Sequence, residues 1–328
     1  MRVLITGVAG FIGHRLAAGL LDTGAEVVGI DAFSDYYDPA IKRRNVAGLS
    51  ERGGSRFTLV DADLTMPGWE HHLDGVEVVL HQAGQPGVRA SWTQGFDAYA
   101  HHNILATQRL LEALRVRHLD GGGLRRVVYA SSSSIYGDAL TLPTPESATP
   151  APRSPYGVTK LAGEHLCGTY AAGFGLPVVA LRYFTVYGGG QRPDMAIHRL
   201  IDCAAEGTPF TRFGDGSQER DLTHVADVVA ANLAAAMTDG LPPGAVYNVA
   251  GGTRVTLSEL IDAVGRAVGR PVPVVVGPEQ PGDVRRTGGD TRGARAALGW
   301  RPQVGLPEGL AEQVAVQLGE LSVAAQEG

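Results

Sequence analysis

The chain has 328 residues, 44% of them apolar and 19% charged, with a formal net charge of −6. That length allows one large α/β unit or two fused domains sharing a cleft. The acidic balance, without any Lys/Arg block, excludes generic nucleic-acid binding as an expectation.

Two cysteines, Cys167 and Cys203, make neither a metal cluster nor a disulfide framework. No run of about 18 apolar residues suits a membrane span. The opening MRVLITG is too short and too soon broken by glycine for a signal segment. The expected setting is the reducing cytoplasm.

In chain order, Val3–Ile5, Glu26–Ile30, Phe57–Val60, Val76–Leu80, Arg126–Tyr129 and Val178–Leu181 read as buried strands. Phe11–Asp22, His101–Arg117 and Tyr156–Tyr170 carry helical periodicity between them. Buried strands alternating with helices predict an α/β fold, a doubly wound parallel sheet of Rossmann type. After about residue 190 the texture changes to Gly/Pro loops separated by short helices near 195–206, 224–238 and 256–268. This reads as a smaller, mixed C-terminal substrate domain. The expected division is 1–185 for the nucleotide-binding domain and 186–328 for the second, with segments crossing back.

The first strand runs into GVAGFIG, which places Gly7, Gly10 and Gly13 before a helix. Glycines there allow a tight turn and close approach of backbone to a pyrophosphate at the helix N-terminus. Asp31 ends the next strand, where a carboxylate accepts hydrogen bonds from adenosine ribose hydroxyls and repels a 2′-phosphate. NAD is therefore expected over NADP. Asp63 and Leu64, after the third strand, suit either an adenine-edge contact or a β-turn.

The fifth strand ends in four serines, ASSSS, whose hydroxyls should face the ligand crevice of a doubly wound sheet. Tyr156 and Lys160 follow, four apart on one helix face. A nearby ammonium favours phenolate, which makes Tyr156 a candidate general base near neutral pH.

With these residues in place, the chain resembles the extended short-chain dehydrogenase/reductase family, specifically its nucleotide-sugar epimerases. The motifs are TGVAGFIG, HQAGQPGVRAS, HHNILAT, ASSSSIYG, YGVTK, RYFTVYG, GDGSQERDLTHV, and PGDV followed by LGW. The resemblance implies a Rossmann domain holding NAD tightly, a C-terminal domain for a nucleoside diphosphate, and a homodimer. It implies that Ser132 and Tyr156 bracket the sugar 4-hydroxyl and that Lys160 binds the nicotinamide ribose. It also implies that Phe11, Ile12, Ala83, Gly84, Asn103 and Tyr183 surround the cofactor. Gln85, Arg220 and Asp283 lie toward the nucleotide sugar, whereas Arg89 either reaches phosphate or is structural.

Within that family, dehydratases carry an Asp-Glu pair after the catalytic hydroxyl, and UDP-glucuronate decarboxylases carry a Glu beside it. Ser133 and Ser134 stand there in this chain, so neither elimination nor decarboxylation is expected. Galactose epimerases have Asn where Thr185 stands, while TVYG followed by RPDM, with GVRAS, resembles UDP-glucuronate 4-epimerases. A uronate carboxylate would be held by hydroxyls of Ser133, Ser134 and Thr185. Arg192 grips either that carboxylate or the diphosphate, or remains a loop cation. Two departures from the pattern are Gly189 for the usual Pro and Gln82 for Leu or Phe.

The expected reaction is 4-epimerisation of UDP-glucuronate to UDP-galacturonate through a transient 4-keto sugar. The enzyme rival acts on neutral UDP-glucose or UDP-N-acetylglucosamine, and the non-enzyme rival is a dinucleotide sensor, which would lack the Tyr or Lys. His81, His101 and His102 lack metal-ligand spacing, and no metal is expected.

Overall fold

The computed structural model describes residues 1–93, 95–278 and 282–324. Pro281 of the PGDV motif and part of the loop 276–283 lie outside the described residues.

The alternating pattern builds a seven-stranded sheet. Its strands are β1 (Arg2–Thr6), β2 (Glu26–Asp31), β3 (Phe57–Asp61), β4 (Val78–His81), β5 (Arg126–Ser132), β6 (Val178–Tyr183) and, later in the chain, β10 (Ala245–Val249). The spatial order is β10-β6-β5-β4-β1-β2-β3, and every pairing is parallel. The order reverses beside β1, and ligand crevices form at such a switch point, outside the strands' carboxyl ends.

Apolar residues bury both faces. Val3, Ile5, Val27, Leu80 and Val128 join one core, and Leu4, Val28, Ile30, Val79 and Val127 the other. Each such side chain contributes roughly 1.5–3 kcal/mol on burial, which explains why the strands read as near-continuous hydrophobic runs.

Between β6 and β10 lie β7 (Thr185–Tyr187), β8 (Phe210–Phe213) and β9 (Glu219–His224); β11 (Thr253–Thr256) and β12 (Val274–Gly277) follow. They form a three-stranded sheet, β11-β9-β7, and a two-stranded one, β12-β8. The helix Val225–Met237 returns to the large sheet, contributing Val228, Ala231 and Ala235 to its core. A separate core gathers Leu200, Ile201, Leu260, Ile261 and Val264 from two amphipathic helices.

The helix Pro155–Phe174 begins where the Ser154 hydroxyl accepts from the Gly157 amide at 3.1 Å, with Pro155 in the first turn, and ends at Gly175 with φ +68°. Those are ordinary start and stop signals. The helix lies against β5 at Gly163, where a Cβ would fall 2.1 Å from the Tyr129 hydroxyl oxygen. Among the described residues, no helix is long and apolar enough to cross a membrane.

Candidate active site

Two adjoining cavities open at the carboxyl ends of the strands. The first is lined by Gly7, Gly10, Phe11, Ile12, Gly13, Asp31, Asp63, Leu64, Ala83, Gly84, Gln85, Lys160 and Tyr183. Its floor depends on glycine. Gly7 has φ +70°, and a Cβ on it would meet the Ala83 amide at 2.7 Å; a Cβ on Gly13 would meet the Gly7 carbonyl oxygen at 2.1 Å. This close approach leaves room for a diphosphate against the N-terminus of the helix Phe11–Asp22.

The Asp31 carboxylate accepts from the Ala9 amide at 3.0 Å and the Phe33 amide at 2.9 Å, with Lys42 Nζ 4.0 Å away. Asp63 accepts from the Thr65 amide and hydroxyl, both at 2.8 Å, and from His101 Nε2 at 2.8 Å. Against its burial, those contacts hold the Asp63 carboxyl below the usual range. Asp63 organises a turn through Thr65 and also lines the cavity.

Asn103 lies behind the wall. Its Oδ1 accepts from the Gln85 amide at 2.7 Å, and its Nδ2 donates to the Gln85 carbonyl at 3.0 Å and Thr159 Oγ1 at 2.9 Å. It belongs to a π-helical stretch, Ala100–Leu105. His81 is likewise internal, between the Thr6 and Thr107 hydroxyls at 2.7 and 3.0 Å. Burial pushes its imidazole down to about 3, so the ring is neutral and packs in the core.

The second cavity is lined by Arg89, Ser132, Ser133, Ser134, Tyr156, Thr185, Arg192, Arg220 and Asp283. Tyr156, Tyr183 and Arg192 line both cavities. Gln85, grouped with the sugar in the sequence, faces the first cavity instead.

Ser132 ends β5, and its hydroxyl accepts from the Ser134 amide at 3.1 Å while hydrogen-bonding the Tyr156 phenol. Burial pushes that phenol above its ordinary value, opposed by the Ser132 bond and the charge of Arg192. The sequence pointed to Lys160 as the group lowering it. In the folded chain Lys160 Nζ instead sits over the Tyr129 ring, 4.8 Å from its centroid, and burial lowers its own ammonium to about 8.

Arg89 donates to Asp283 at 2.9 Å and stacks over the Phe213 ring at 4.6 Å, while Arg220 approaches the same carboxylate at 3.9 Å. Two guanidinium groups and one carboxylate leave a net positive wall. Arg192 forms a fork with Asp194, Nε to Oδ1 at 2.9 Å and Nη2 to Oδ2 at 3.1 Å.

The arrangement combines a cavity over a glycine-rich turn and a strand-end carboxylate with a phenol, an adjacent hydroxyl and an ammonium. The comparisons with known proteins agree with it. Residues 3–250 match the model of the NAD dependent epimerase/dehydratase family. The chain belongs to that family. NAD is the cofactor of the family, and the glycine cradle and Asp31 carboxylate fit it.

Among relatives, an uncharacterized UDP-glucose epimerase YtcB of Bacillus subtilis is 39% identical over 96% of this chain and 97% of its own length. A probable UDP-glucuronate 4-epimerase of Rhizobium meliloti is 34% identical, covering 96% of each. The crystal structure of UDP-glucuronic acid 4-epimerase from Bacillus cereus, in complex with UDP-glucuronic acid and NAD, superposes with a TM-score of 0.92. It shares 38% identity over 98% of this chain and 100% of that one.

Sequence reasoning missed four side chains that shape this family site. Ser34 and Tyr36 line the first cavity from the loop after β2, which has no periodicity to mark it, and Lys42 lines it from the helix Pro39–Gly53, which the sequence reading did not pick out. Asp194 was visible only as an acid two residues beyond Arg192.

Proposed function

We propose that the protein catalyses NAD-dependent 4-epimerisation of a UDP-sugar, with UDP-glucuronate and UDP-galacturonate as the substrate pair. The observation that carries this reading is one cavity wall. Tyr156 and Ser132 share it with the hydroxyls of Ser133, Ser134 and Thr185 and the guanidinium of Arg192.

In the proposed mechanism Gly7, Gly10, Gly13 and Asp31 hold the cofactor, and Lys160 binds its nicotinamide ribose. The chemistry the bound cofactor supplies is reversible acceptance of the C4 hydride. Tyr156 takes the 4-hydroxyl proton and Ser132 orients that hydroxyl by hydrogen bonding. The 4-keto sugar then turns its other face, and Tyr156 returns the proton to the new alcohol. Arg89 and Arg220 supply positive charge for the diphosphate, and Arg192 for either the diphosphate or the C6 carboxylate.

Oxidation at C4 of a uronate creates a β-keto acid, which loses CO₂ readily when its carboxylate is desolvated. Hydrogen bonds from Ser133, Ser134 and Thr185 would hold the carboxylate in one orientation and suppress that loss. No titratable side chain stands at 133 or 134 to promote elimination.

The deciding experiment supplies UDP-glucuronate and UDP-glucose separately to the purified protein without added NAD. UDP-galacturonate as the main product supports the reading; a UDP-pentose as the main product, or turnover of UDP-glucose alone, overturns it. Neutral UDP-hexoses are the second reading, favoured by the hold that Asp194 already has on Arg192.

We also propose a homodimer in a reducing, cytoplasmic setting. Supporting the first, the helices Ala106–Leu119 and Pro155–Phe174 expose Val116, Leu119, Val158 and Phe174. Supporting the second, Cys167 and Cys203 are both free thiols.

A further inference from the structure

Arg192 is the cation that separates the two cavities, and its fork is already occupied. Its Nε and Nη2 donate to the two oxygens of Asp194, the geometry that a sugar carboxylate or a phosphate would also offer. Asp194 is itself tethered: its Oδ2 accepts from the Tyr36 hydroxyl at 3.3 Å. That hydroxyl is fixed in turn by close packing on Gly87, where φ is +103° and a Cβ would lie 2.2 Å away. Tyr36 belongs to the segment after β2 that lines the first cavity, and Gly87 to the GVRAS loop that lines the second. Three segments therefore hold one carboxylate against one guanidinium.

We propose that Asp194 is a positioning residue that acts as an internal exchange partner for Arg192. It holds the fork between ligands and surrenders it to an acidic group of the nucleotide sugar. This rests on the reading of the protein as a UDP-sugar epimerase. The consequence is energetic. Arg192 exchanges one carboxylate for another anion, so its net contribution to affinity is small, and letting go is correspondingly easy. Easy release matters for a reaction in which the keto sugar must turn over inside the site. A cation with no internal partner would hold the acidic sugar in one pose and slow that step. A neutral sugar carries no group at C6 able to displace Asp194, so the exchange responds to charge there if the carboxylate is the displacing group. If the diphosphate displaces it, the exchange responds to every UDP ligand.

The test is calorimetric titration of the NAD-loaded protein with UDP, UDP-glucose and UDP-glucuronate, together with steady-state kinetics, in Asp194→Asn. The expected result is tighter binding by about tenfold, equivalent to about 1.4 kcal/mol, with a lower kcat for the ligand concerned. Tightening confined to UDP-glucuronate identifies the carboxylate as the exchanging group, and tightening of all three identifies the diphosphate. Tyr36→Phe, which removes only the tether, should shift affinity in the same direction by a smaller factor. Binding that is unchanged or weaker for every ligand in both variants overturns the proposal. Failure of the parent reading is separate: it shows as absence of epimerisation by the unaltered protein, whatever the titrations give.

Discussion

The Ser131 hydroxyl donates to Glu164 Oε2 at 2.6 Å, tying the end of β5 to the helix that carries Tyr156 and Lys160. Glu164 is also gripped by Arg182 of β6 through one guanidinium edge, Nη2 to Oε1 at 2.6 Å and Nε to Oε2 at 3.0 Å, with both side chains under a tenth exposed. Arg182 extends the network to the Tyr136 hydroxyl at 2.6 Å, which donates to Asn248 at 2.8 Å. Ser132, one residue beyond Ser131, is thus set relative to Tyr156 by a buried ion pair behind the site.

Glu164→Gln leaves the Arg182 charge buried without its partner, and breaking such a pair costs about 3–5 kcal/mol. A fall of that size in the free energy of chemical unfolding is expected. Replacing both partners, as Glu164→Gln with Arg182→Met, should recover much of it. Equal losses in the single and double variants would count against the ion pair as the cause.

Tyr156→Phe removes the proton acceptor while keeping the ring that lines both cavities. Turnover should fall by about 10²–10⁴-fold, the usual worth of a positioned acid–base group. The melting temperature and the amount of bound NAD should stay close to those of the unaltered protein. Undiminished turnover would remove Tyr156 from the mechanism.

Five strands of the central sheet, β1, β2, β4, β5 and β6, were legible because they are buried and so carry nearly unbroken apolar runs; β3 was read although it is largely exposed, and β10 was not read as a strand. Gly7 and Gly13 were legible because backbone conformation or close approach admits no side chain there, and Gly10 because a Cβ would crowd the Gly7 carbonyl at 3.3 Å. The pairings that tune charge were not. Lys160 shares a helix face with Tyr156, yet its head group turns to the Tyr129 ring, a contact set by how the helix packs on β5. The Asp194 fork on Arg192 and the Tyr36 tether likewise join segments far apart in the chain, for which sequence periodicity holds no signal. Thr185 did reach the cavity with Ser133 and Ser134, because β7 continues directly from β6 past the end of the sheet.

Gly13→Ala should release the cofactor. The new methyl would lie 2.1 Å from the Gly7 carbonyl oxygen, and backbone cannot give way there without opening the turn. The expected readout is protein purified with little NAD, measured by denaturing extraction and chromatography, and stability lower by about 1–3 kcal/mol from overpacking. Full NAD content in this variant would show that the turn is not the diphosphate cradle.

Acid sensitivity should trace in part to two histidines, His81 buried and His14 half-buried. Burial depresses His81 to about 3 and His14 to about 4, both below the value near 6.5 of an unfolded chain. In the intervening range the unfolded chain binds more protons than the folded one. The stability these groups support is therefore complete above about pH 6.5 and is lost as pH falls toward the folded values, by up to about 1.4 kcal/mol per pH unit for each ring. Asp221 acts in the opposite sense. Burial raises its carboxyl to about 6, so the folded state holds the extra proton and gains stability as pH falls from about 6 to 4. The absolute slope below pH 6 is thus a difference between opposed groups, and the informative quantity is the change on removing one. His81→Gln, measured by urea unfolding from pH 7 to 5, should show a shallower loss of stability on acidification than the unaltered protein. An identical slope would mean that His81 is not the neutral core ring its Thr6 and Thr107 contacts describe.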